Sequence, residues 1–316
     1  MQPQVVVVGS FVQDLTWQCD AFPRTGETVI GRFVSGPGGK GSNQAVACAR
    51  TGTPTAFIGA VGSDVFAASA KKFHGTEGIT ARFAAKPRHA TATAAILVNA
   101  SGQNQIIVAL GASAHLAPRD VDAALIRRAK VVVCQHEANL PINAHVFRLG
   151  RNAGAITILN PAPMRADFDA TILPLIDVLI PNESEFVALV NLLGLAGRSA
   201  LTKSKLHALN QDKLHALCRA IGVPAVLLTL AERGCFVSQG CGYVHLPAHA
   251  GMKVVDTAGA GDAFVGGFAA GLVRFNRSIY EAARFGNSVA ALSVTKSGTA
   301  PSMPTAREIA RFLNRK

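Results

Sequence analysis

The sequence has few aromatic residues able to stack on bases: one Trp and two Tyr in 316 residues. It is also short of acid, with 19 Asp and Glu against 31 Lys and Arg and a net charge of +12. The basic excess comes as separated groups such as Lys71-Lys72 and Arg127-Arg128, without interleaved aromatics. A nucleic-acid partner is therefore not expected, and the charge reads as a general bias that helps attract anionic substrates. No apolar run reaches the ~18 residues of a membrane span, since Val5 to Val8 ends at Gly9, so no membrane partner is expected. The start, Met1-Gln2-Pro3-Gln4, carries no basic segment ahead of that run, so a secretory signal is not read and a cytoplasmic location is expected. None of the six cysteines (Cys19, Cys48, Cys134, Cys218, Cys235, Cys241) forms a CxxC pair, which argues against a zinc site or a disulfide frame. Two phosphate-loop signatures are missing as well. Lys40 is followed by Gly41 rather than Ser or Thr, with no Gly five residues before Gly39, which excludes a Walker A loop. No G-x-G-x-x-G follows the first strand, which argues against a dehydrogenase.

What is present, 49% hydrophobic and 16% charged residues, is the make-up of a soluble enzyme with ample core. Val5-Val6-Val7-Val8-Gly9-Ser10 reads as a short buried strand and a turn, with Asp14 at the end of that first strand, either a ligand contact or a polar loop residue. Gly26 to Ser35 alternates loosely and predicts a strand that leaves the main sheet. Further strands are predicted at Ala56–Gly59, Val131–Cys134, Ala155–Leu159, Val178–Ile180 and Ala225–Leu228, spaced by helical segments such as Val65–His74. Ala94–Val98 and Gln105–Val108, joined by Asn99-Ala100-Ser101-Gly102, form a predicted hairpin. Alternating strands and helices imply an α/β fold with a doubly wound, mostly parallel sheet sandwiched by helices. No linker-like stretch splits it, so one domain over 1–316 is expected. Lys205-Leu206-His207 is echoed by Lys213-Leu214-His215; on one continuous helix both His would share a side, most simply a solvated face. Ile279 to Lys296 is predicted to be mainly helical.

Asp256-Thr257-Ala258-Gly259-Ala260-Gly261-Asp262 places two carboxylates around five small residues, just before an apolar helical run. Such a run exposes N–H groups at the positive end of a helix dipole, where phosphate oxygens bind well. A carboxylate there, Asp262, is unfavourable beside phosphate unless it takes a proton from an attacking hydroxyl; an Asp-capped glycine turn has the same pattern. A second glycine loop, Gly36-Pro37-Gly38-Gly39-Lys40-Gly41-Ser42-Asn43-Gln44, leads into a helix of small residues, with Asn43 offering donors and an acceptor. Polar residues follow the predicted strands: Gln135-His136-Glu137, Asn160-Pro161, Asn182-Glu183-Ser184-Glu185 and Thr229. Asn182 and Glu185, three apart at a helix start, suit a hydrated Mg²⁺ or nucleotide phosphates, and suit a helix cap equally.

Together these residues resemble the ribokinase-like (PfkB) family of carbohydrate kinases. Gly38 to Gln44 resembles its first signature and Asp256 to Phe268 its second, with Gly26-Glu27-Thr28, Asn160-Pro161-Ala162-Pro163, the Asn182–Glu185 motif and Gly298 to Ser302 matching along the chain. The resemblance implies Asp262 as catalytic base, with Gly259, Ala260 and Gly261 as anion hole. It implies Asp14, Gly39, Lys40, Gly41, Asn43 and Glu137 as sugar-binding residues, with Ala94 and Ile96 as lid contacts. Asn182 and Glu185 match a Mg²⁺ and phosphate motif. Asn182, Thr229, Leu230, Ala231, Glu232, Arg233, Gly234 and Asn287 match the nucleotide side. Asp256, Ala258, Ser293, Lys296, Gly298 and Ser302 fall at a monovalent-cation (K⁺) site. The implied fold carries a small β-sheet lid, assigned to about 11–36 and 91–108, through which two copies would pair as a homodimer.

The implied activity is transfer of the γ-phosphate of ATP to the primary 5-hydroxyl of ribose. Val12 departs from the pattern, since Asn is common there in bacterial members. A nucleoside kinase or another sugar kinase of the family is the alternative, and a catalytically silent sugar-binding regulator stands further off. The basic stretch from Leu193 to Asp212 matches no known role.

Overall fold

A computed structural model describes residues 2–197 and 199–314. Met1, Arg198, Arg315 and Lys316 lie outside the described residues, and with them the first residue of the N-terminal reading, one residue of the 193–212 stretch and the ends of the expected domain. The chain opens with β1 (Val5–Val8), β2 (Val12–Gln18), β3 (Arg32–Gly38), α1 (Lys40–Arg50), β4 (Thr55–Val61), α2 (Val65–Thr76), β5 (Thr80–Ala85), β6 (Thr93–Val98) and β7 (Asn104–Ala109). It continues with α3 (Ala123–Arg128), β8 (Val131–Cys134), α4 (Leu140–Asn152), β9 (Ile156–Leu159), β10 (Val178–Leu179), α5 (Glu183–Leu192), α6 (Lys203–His207) and α7 (Gln211–Ala220). The last elements are β11 (Ala225–Thr229), β12 (Cys235–Gln239), β13 (Gly242–Leu246), α8 (Ala260–Arg274), α9 (Ile279–Ser293) and α10 (Ala306–Leu313).

Nine strands form the main sheet in the order β13-β12-β11-β10-β9-β8-β1-β4-β5. From β11 to β5 every neighbour is parallel, and β12 and β13 close the far edge antiparallel. The four valines of β1 are β-branched, resist helix formation and are buried on both faces. Because strand side chains alternate, Val5 and Val7 join the core layer shared with α1, α8 and α9. Val6 and Val8 join the opposite layer with α4, α5 and α7. A second sheet of four strands, β3-β2-β6-β7, forms the lid. The predicted hairpin is its β6–β7 pair, antiparallel from Thr93↔Ala109 to Val98↔Asn104.

Several expectations need correction. Asp14 does not end the first strand; the chain leaves the main sheet after Val8, and Asp14 is the third residue of lid strand β2. The strand expected from Gly26 begins only at Arg32 and continues into the glycine loop, its Pro37 tolerated because β3 is a sheet edge. The two His-bearing repeats are separate helices. Asn210 ends the first by capping α7, its side chain accepting from Lys213 N at 2.9 Å, so His207 and His215 reach different partners, Glu183 and Ser238. The expected helix over Ile279 to Lys296 is present as α9, ending at Ser293, and β10 ends at Leu179.

Close helix packing fixes the site. A Cβ at Gly266 on α8 would lie 2.4 Å from the Gln44 carbonyl oxygen and 2.6 Å from the Ala47 Cβ, so only glycine lets α8 approach α1 this closely. That approach sets the N-terminus of α8 beside the N-terminal turns of α1. Among the described residues no helix is long and apolar enough to cross a membrane.

Candidate active site

Strand β1 has β4 on one side and β8 on the other, so the connections diverge there, and α/β sheets hold ligands at the carboxyl end of such a switch point. The chain meets this edge three times through helix starts, at Lys40 of α1, Glu183 of α5 and Ala260 of α8. Gly259 caps α8 with φ 76°, a left-handed conformation that glycine adopts without strain, and no side chain consumes the first N–H groups of the helix. Gly261 is exposed, with no atom within 4 Å of where a Cβ would stand, so the approach to these N–H groups is open. Asp262, only 7% exposed, is held from two sides. Asn43 Nδ2 donates to its Oδ2 at 2.9 Å, and Gln44 Nε2 donates to its Oδ1 at 2.9 Å.

On the lid side, Asp14 lies opposite Ala94 of β6 and Gly36 of β3, with Ile96 opposite Thr16 two pairs further on. The inner face of the lid around it is apolar, a small cluster of Val12, Ala92, Ala94 and Ile96. Gly38 must be glycine, because a Cβ there would sit 2.2 Å from the Asp14 Oδ2. Glu137 reaches the same edge from the loop after β8; its Oε2 accepts from Ser10 Oγ at 2.7 Å and from Lys40 N at 2.8 Å. Burial pushes the Asp14 carboxyl up to about 7, with the charge of Glu137 adding, the Thr299 hydroxyl hydrogen-bonded to it opposing, and Asp262 adding again. Burial disfavours the charge of Lys40, but Asp262, Glu137 and Glu185 around its ammonium outweigh that and raise its pKa. Gly39, Gly41 and Asn43 line the first turn of α1 at the same edge. The sequence-predicted sugar set is thus brought together with Asp262.

On the other side of Asp262 is a cavity of about 170 Å³ lined by Lys40, Asn160, Asn182, Glu185, Thr229, Gly259, Gly261 and Asp262 among others. Asn182 and Glu185 satisfy each other as a reciprocal cap: Asn182 N and Nδ2 donate to the two Glu185 oxygens, and Glu185 N donates to Asn182 Oδ1, all at 2.9 Å. Burial raises the Glu185 pKa, the Asn182 N–H and Lys40 pull against it, and Asp262 adds to the rise. Each Glu185 oxygen keeps lone-pair capacity beyond its single bond, which suits Mg²⁺, an ion that uses few protein ligands and keeps its waters. Thr229 abuts Asn182 through a bridge, and Leu230–Gly234 turn tightly from β11 to β12, Leu230 N donating to Gly234 O at 2.8 Å. Arg233 of this turn pairs with Glu183. Asn287 is not brought into that cavity. It lies on α9, donates to Pro247 O at 2.7 Å, and borders a separate, larger cavity with Ala248, Tyr280 and Phe312.

Asp256 joins two loops: its Oδ1 accepts from Ala258 N at 2.9 Å and its Oδ2 from Gly298 N at 2.8 Å. Of its predicted companions, Ser293 donates to Ala290 O, Ser302 to Thr299 O, and Lys296 turns its ammonium to Glu308 at 2.6 Å. The hydroxyls of Ser293 and Ser302 and the Lys296 ammonium are thus engaged with these partners, which leaves the backbone carbonyls of those residues for the implied cation role.

Of the polar residues at the edge, Ser10, Gln44 and Thr299 have no individual role in the predicted site, and Gln135 and Asn160 only a place among the polar residues that follow the strands. Gln44 has a detectable signal, a long amide in a helix otherwise built of small residues; Ser10 and Thr299 have none beyond their place near a motif.

The sequence pattern of pfkB family carbohydrate kinases matches residues 2–306. The chain belongs to the pfkB family of carbohydrate kinases. Like the family, this kinase is a phosphotransferase acting on sugars. It is 36% identical to a ribokinase of Mus musculus over 312 residues, covering 96% of this chain and 93% of that one. It is 35% identical to a ribokinase of Haemophilus influenzae (99% of each chain) and 32% identical to a deoxyribokinase of Salmonella typhi (98% of each). Among solved structures it resembles the ribokinase of Giardia lamblia, with a TM-score of 0.88 and 30% identity over 100% of this chain and 99% of that one. It also resembles the ribokinase of Arabidopsis thaliana complexed with ribose and ATP, with a TM-score of 0.84 and 30% identity over 99% of each. The pfkB kinase fold thus accounts for both sheets.

Proposed function

We propose that this pfkB kinase transfers the γ-phosphate of ATP to the primary 5-hydroxyl of ribose. The observation that carries the reading is the position of Asp262, between the carboxylates on the lid side and the open helix N-terminus on the cavity side. Asp14, Asn43 and Glu137 hold the sugar by hydrogen bonds to its hydroxyls, and the buried, unpartnered Asn43 Oδ1 is an acceptor awaiting one. Asp262 takes the proton of the attacking hydroxyl, while the N–H groups of Gly259, Ala260 and Gly261 meet the charge on the transferring phosphoryl. Lys40 adds a cation beside them. A hydrated Mg²⁺ held through Asn182 and Glu185 would neutralise charge on the phosphates. The turn from Thr229 to Gly234 and Asn287 bind the nucleotide, and Asp256 with the loop carbonyls binds K⁺, keeping the Gly259 loop in shape. The lid, 11–36 and 91–108 of a single domain, excludes water that would otherwise hydrolyse ATP.

A second reading has its own observation. Val12 is 2% exposed and belongs to the apolar patch beside Asp14, so that part of the lid offers a sugar no hydrogen bond. A deoxypentose suits such a wall, and a deoxyribokinase is among the relatives. Assaying ADP release with ribose, deoxyribose, fructose, adenosine and pseudouridine separates these readings. The highest kcat/KM is expected for ribose, and a preference for a nucleoside refutes a sugar-kinase role. The Asp262→Asn enzyme is expected to bind sugar and to lose turnover about 100- to 10,000-fold; near-normal turnover with the fold intact would mean that Asp262 is not the base.

A further inference from the structure

Gln44 is fully buried in the second turn of α1, and both hydrogens and the oxygen of its amide are hydrogen-bonded. Nε2 donates one hydrogen to Asp262 Oδ1 at 2.9 Å and the other to Asn160 Oδ1 at 3.0 Å, while Oε1 accepts from Gln135 Nε2 at 2.6 Å. Asn160 Nδ2 donates to Ile180 O at 2.8 Å, which fixes its oxygen toward Gln44. The Gln135 Oε1 lies against Gly9 and Gly41, whose missing side chains make room for it, with no hydrogen-bond partner of its own, and the Gln135 backbone oxygen accepts from Asn143 Nδ2 at 2.9 Å. Turning the Gln44 amide over would set oxygen against oxygen at Asp262 and Asn160, and nitrogen against nitrogen at Gln135, so only one orientation is satisfied. The relay therefore runs from the ends of β8, β9 and β10, the rigid edge of the sheet, to one oxygen of Asp262, while Asn43 holds the other. Rotation of the carboxylate about its Cβ–Cγ bond would break both bonds.

We propose that Gln44 is a positioning residue for phosphoryl transfer: its locked amide fixes the plane of the Asp262 carboxylate and donates to its charged form, so that a defined lone pair meets the acceptor hydroxyl. The proposal rests on the reading of Asp262 as the base. Gln44 contacts neither sugar nor nucleotide in this role, so it acts on the chemical step and not on binding. It also explains the small-residue seam between α1 and α8, since the bond to Asp262 exists only while the two helices stay this close.

The test compares Gln44→Met, which keeps the volume and removes the donor, with Gln44→Glu, which keeps the length and sets a second carboxylate against Asp262. At pH 8, kcat is expected to fall about 10- to 100-fold in Gln44→Met, the worth of a buried hydrogen bond to a charged group, and further in Gln44→Glu. Sugar affinity by calorimetry and sugar KM should stay close to the parent. Gln44→Glu should regain kcat as pH is lowered and the introduced carboxyl takes up a proton it can donate, a response that a packing role would not produce. Gln135→Met carries the test should Gln44→Met not fold, because it leaves Gln44 in place and removes only the bond that orients it; a lower kcat at unchanged sugar affinity is expected. If Asp262→Asn is inactive while these variants keep parental kcat, or lose it only in step with sugar affinity and melting temperature, the Gln44 proposal is overturned and the base assignment stands. If Asp262→Asn turns over normally, the base assignment itself fails and the proposal with it.

Discussion

Asp14 is held in a site that costs stability, and the cost can be measured. Its carboxyl is moved from an ordinary 3.8 to about 7, chiefly by burial. The native state therefore binds a proton more tightly than the unfolded chain, and stability falls as pH rises through the window from about 4 to 7. Integrating over two states, the ionised Asp14 destabilises the fold by roughly 4 kcal/mol at pH 8, about 1.7 kcal/mol at pH 5, and almost nothing below pH 3. Asp14→Asn removes the titration, and its amide oxygen can still accept from the Thr299 hydroxyl. For a chain of this length roughly 1 kcal/mol corresponds to about 1.5 °C in Tm. The variant is expected to melt about 6 °C above the parent at pH 8 and about 2–3 °C above it at pH 5, while losing most sugar affinity. Thermal melts of both proteins at pH 4, 5 and 8 without ligands are the assay. An equal Tm difference at every pH, or a variant less stable than the parent at pH 8, would refute the reasoning. Such a gain in stability with loss of binding is the usual signature of a polar group placed for function. In the parent, sugar KM should rise as pH falls below about 7, as the carboxylate acceptor is lost.

Other expectations follow from the same geometry. Gly266→Ala places a methyl 2.4 Å from the Gln44 carbonyl oxygen and must push α8 from α1, at a cost of about 1–3 kcal/mol. Steady-state kinetics should show kcat falling by up to about 100-fold, since small displacements of reacting groups are that costly; an unchanged kcat would mean that the seam does not position Asp262. Replacing K⁺ by a bulky organic cation at constant ionic strength should depress activity, and indifference to the cation would remove the role given to Asp256. The outer face of the lid carries Trp17 and Phe33 with ring centroids 5.2 Å apart, and beside them Ile107, 76% exposed. A second copy covering this face explains such exposure, so Ile107→Asp is expected to shift a dimer to monomer in analytical ultracentrifugation, and a parent that sediments as a monomer would exclude the pairing.

Legibility in the sequence followed the range of the contacts. The two glycine loops, Gly38 to Gln44 and Asp256 to Asp262, are local objects whose small residues and adjoining helices lie within a few positions of one another, and the structure places both at the same sheet edge. The strands of β1, β8, β9 and β11 were legible because burial on both faces leaves a continuous apolar run. Strand β2 was not, because a lid has no such contrast: Val12 and Asp14 face inward, Leu15 and Trp17 outward, and both faces mix polar with apolar groups. Asp14 was therefore found as a residue and misplaced by a strand. Strand β13 was missed as an edge strand with Tyr243 and His245 exposed, and β12, buried from Cys235 to Ser238, as a short run broken by a polar Ser238. The His repeat leaves helix continuity open because periodicity says nothing of where a helix breaks, and Asn210 between Leu209 and Gln211 is a capping residue that reads equally well as an exposed helical one.

The relay through Gln44 marks the limit more sharply. Its bonds join residues 91, 116 and 218 positions apart, so no window of sequence contains the reason for a buried glutamine. What the window does contain is the anomaly: a large amide among Ser42, Ala45 and Ala47, where a small apolar residue would pack without needing partners. Burying an amide is unfavourable unless every donor and acceptor is met. In a parallel sheet the polar groups able to meet them gather beyond the carboxyl ends of the strands, the edge at which the glycine loops place the reacting groups. A long polar side chain just inside such a loop is therefore a physical pointer to the site, and Gln44 carries the same information about Asp262 from the α1 side that Gly266 carries from α8.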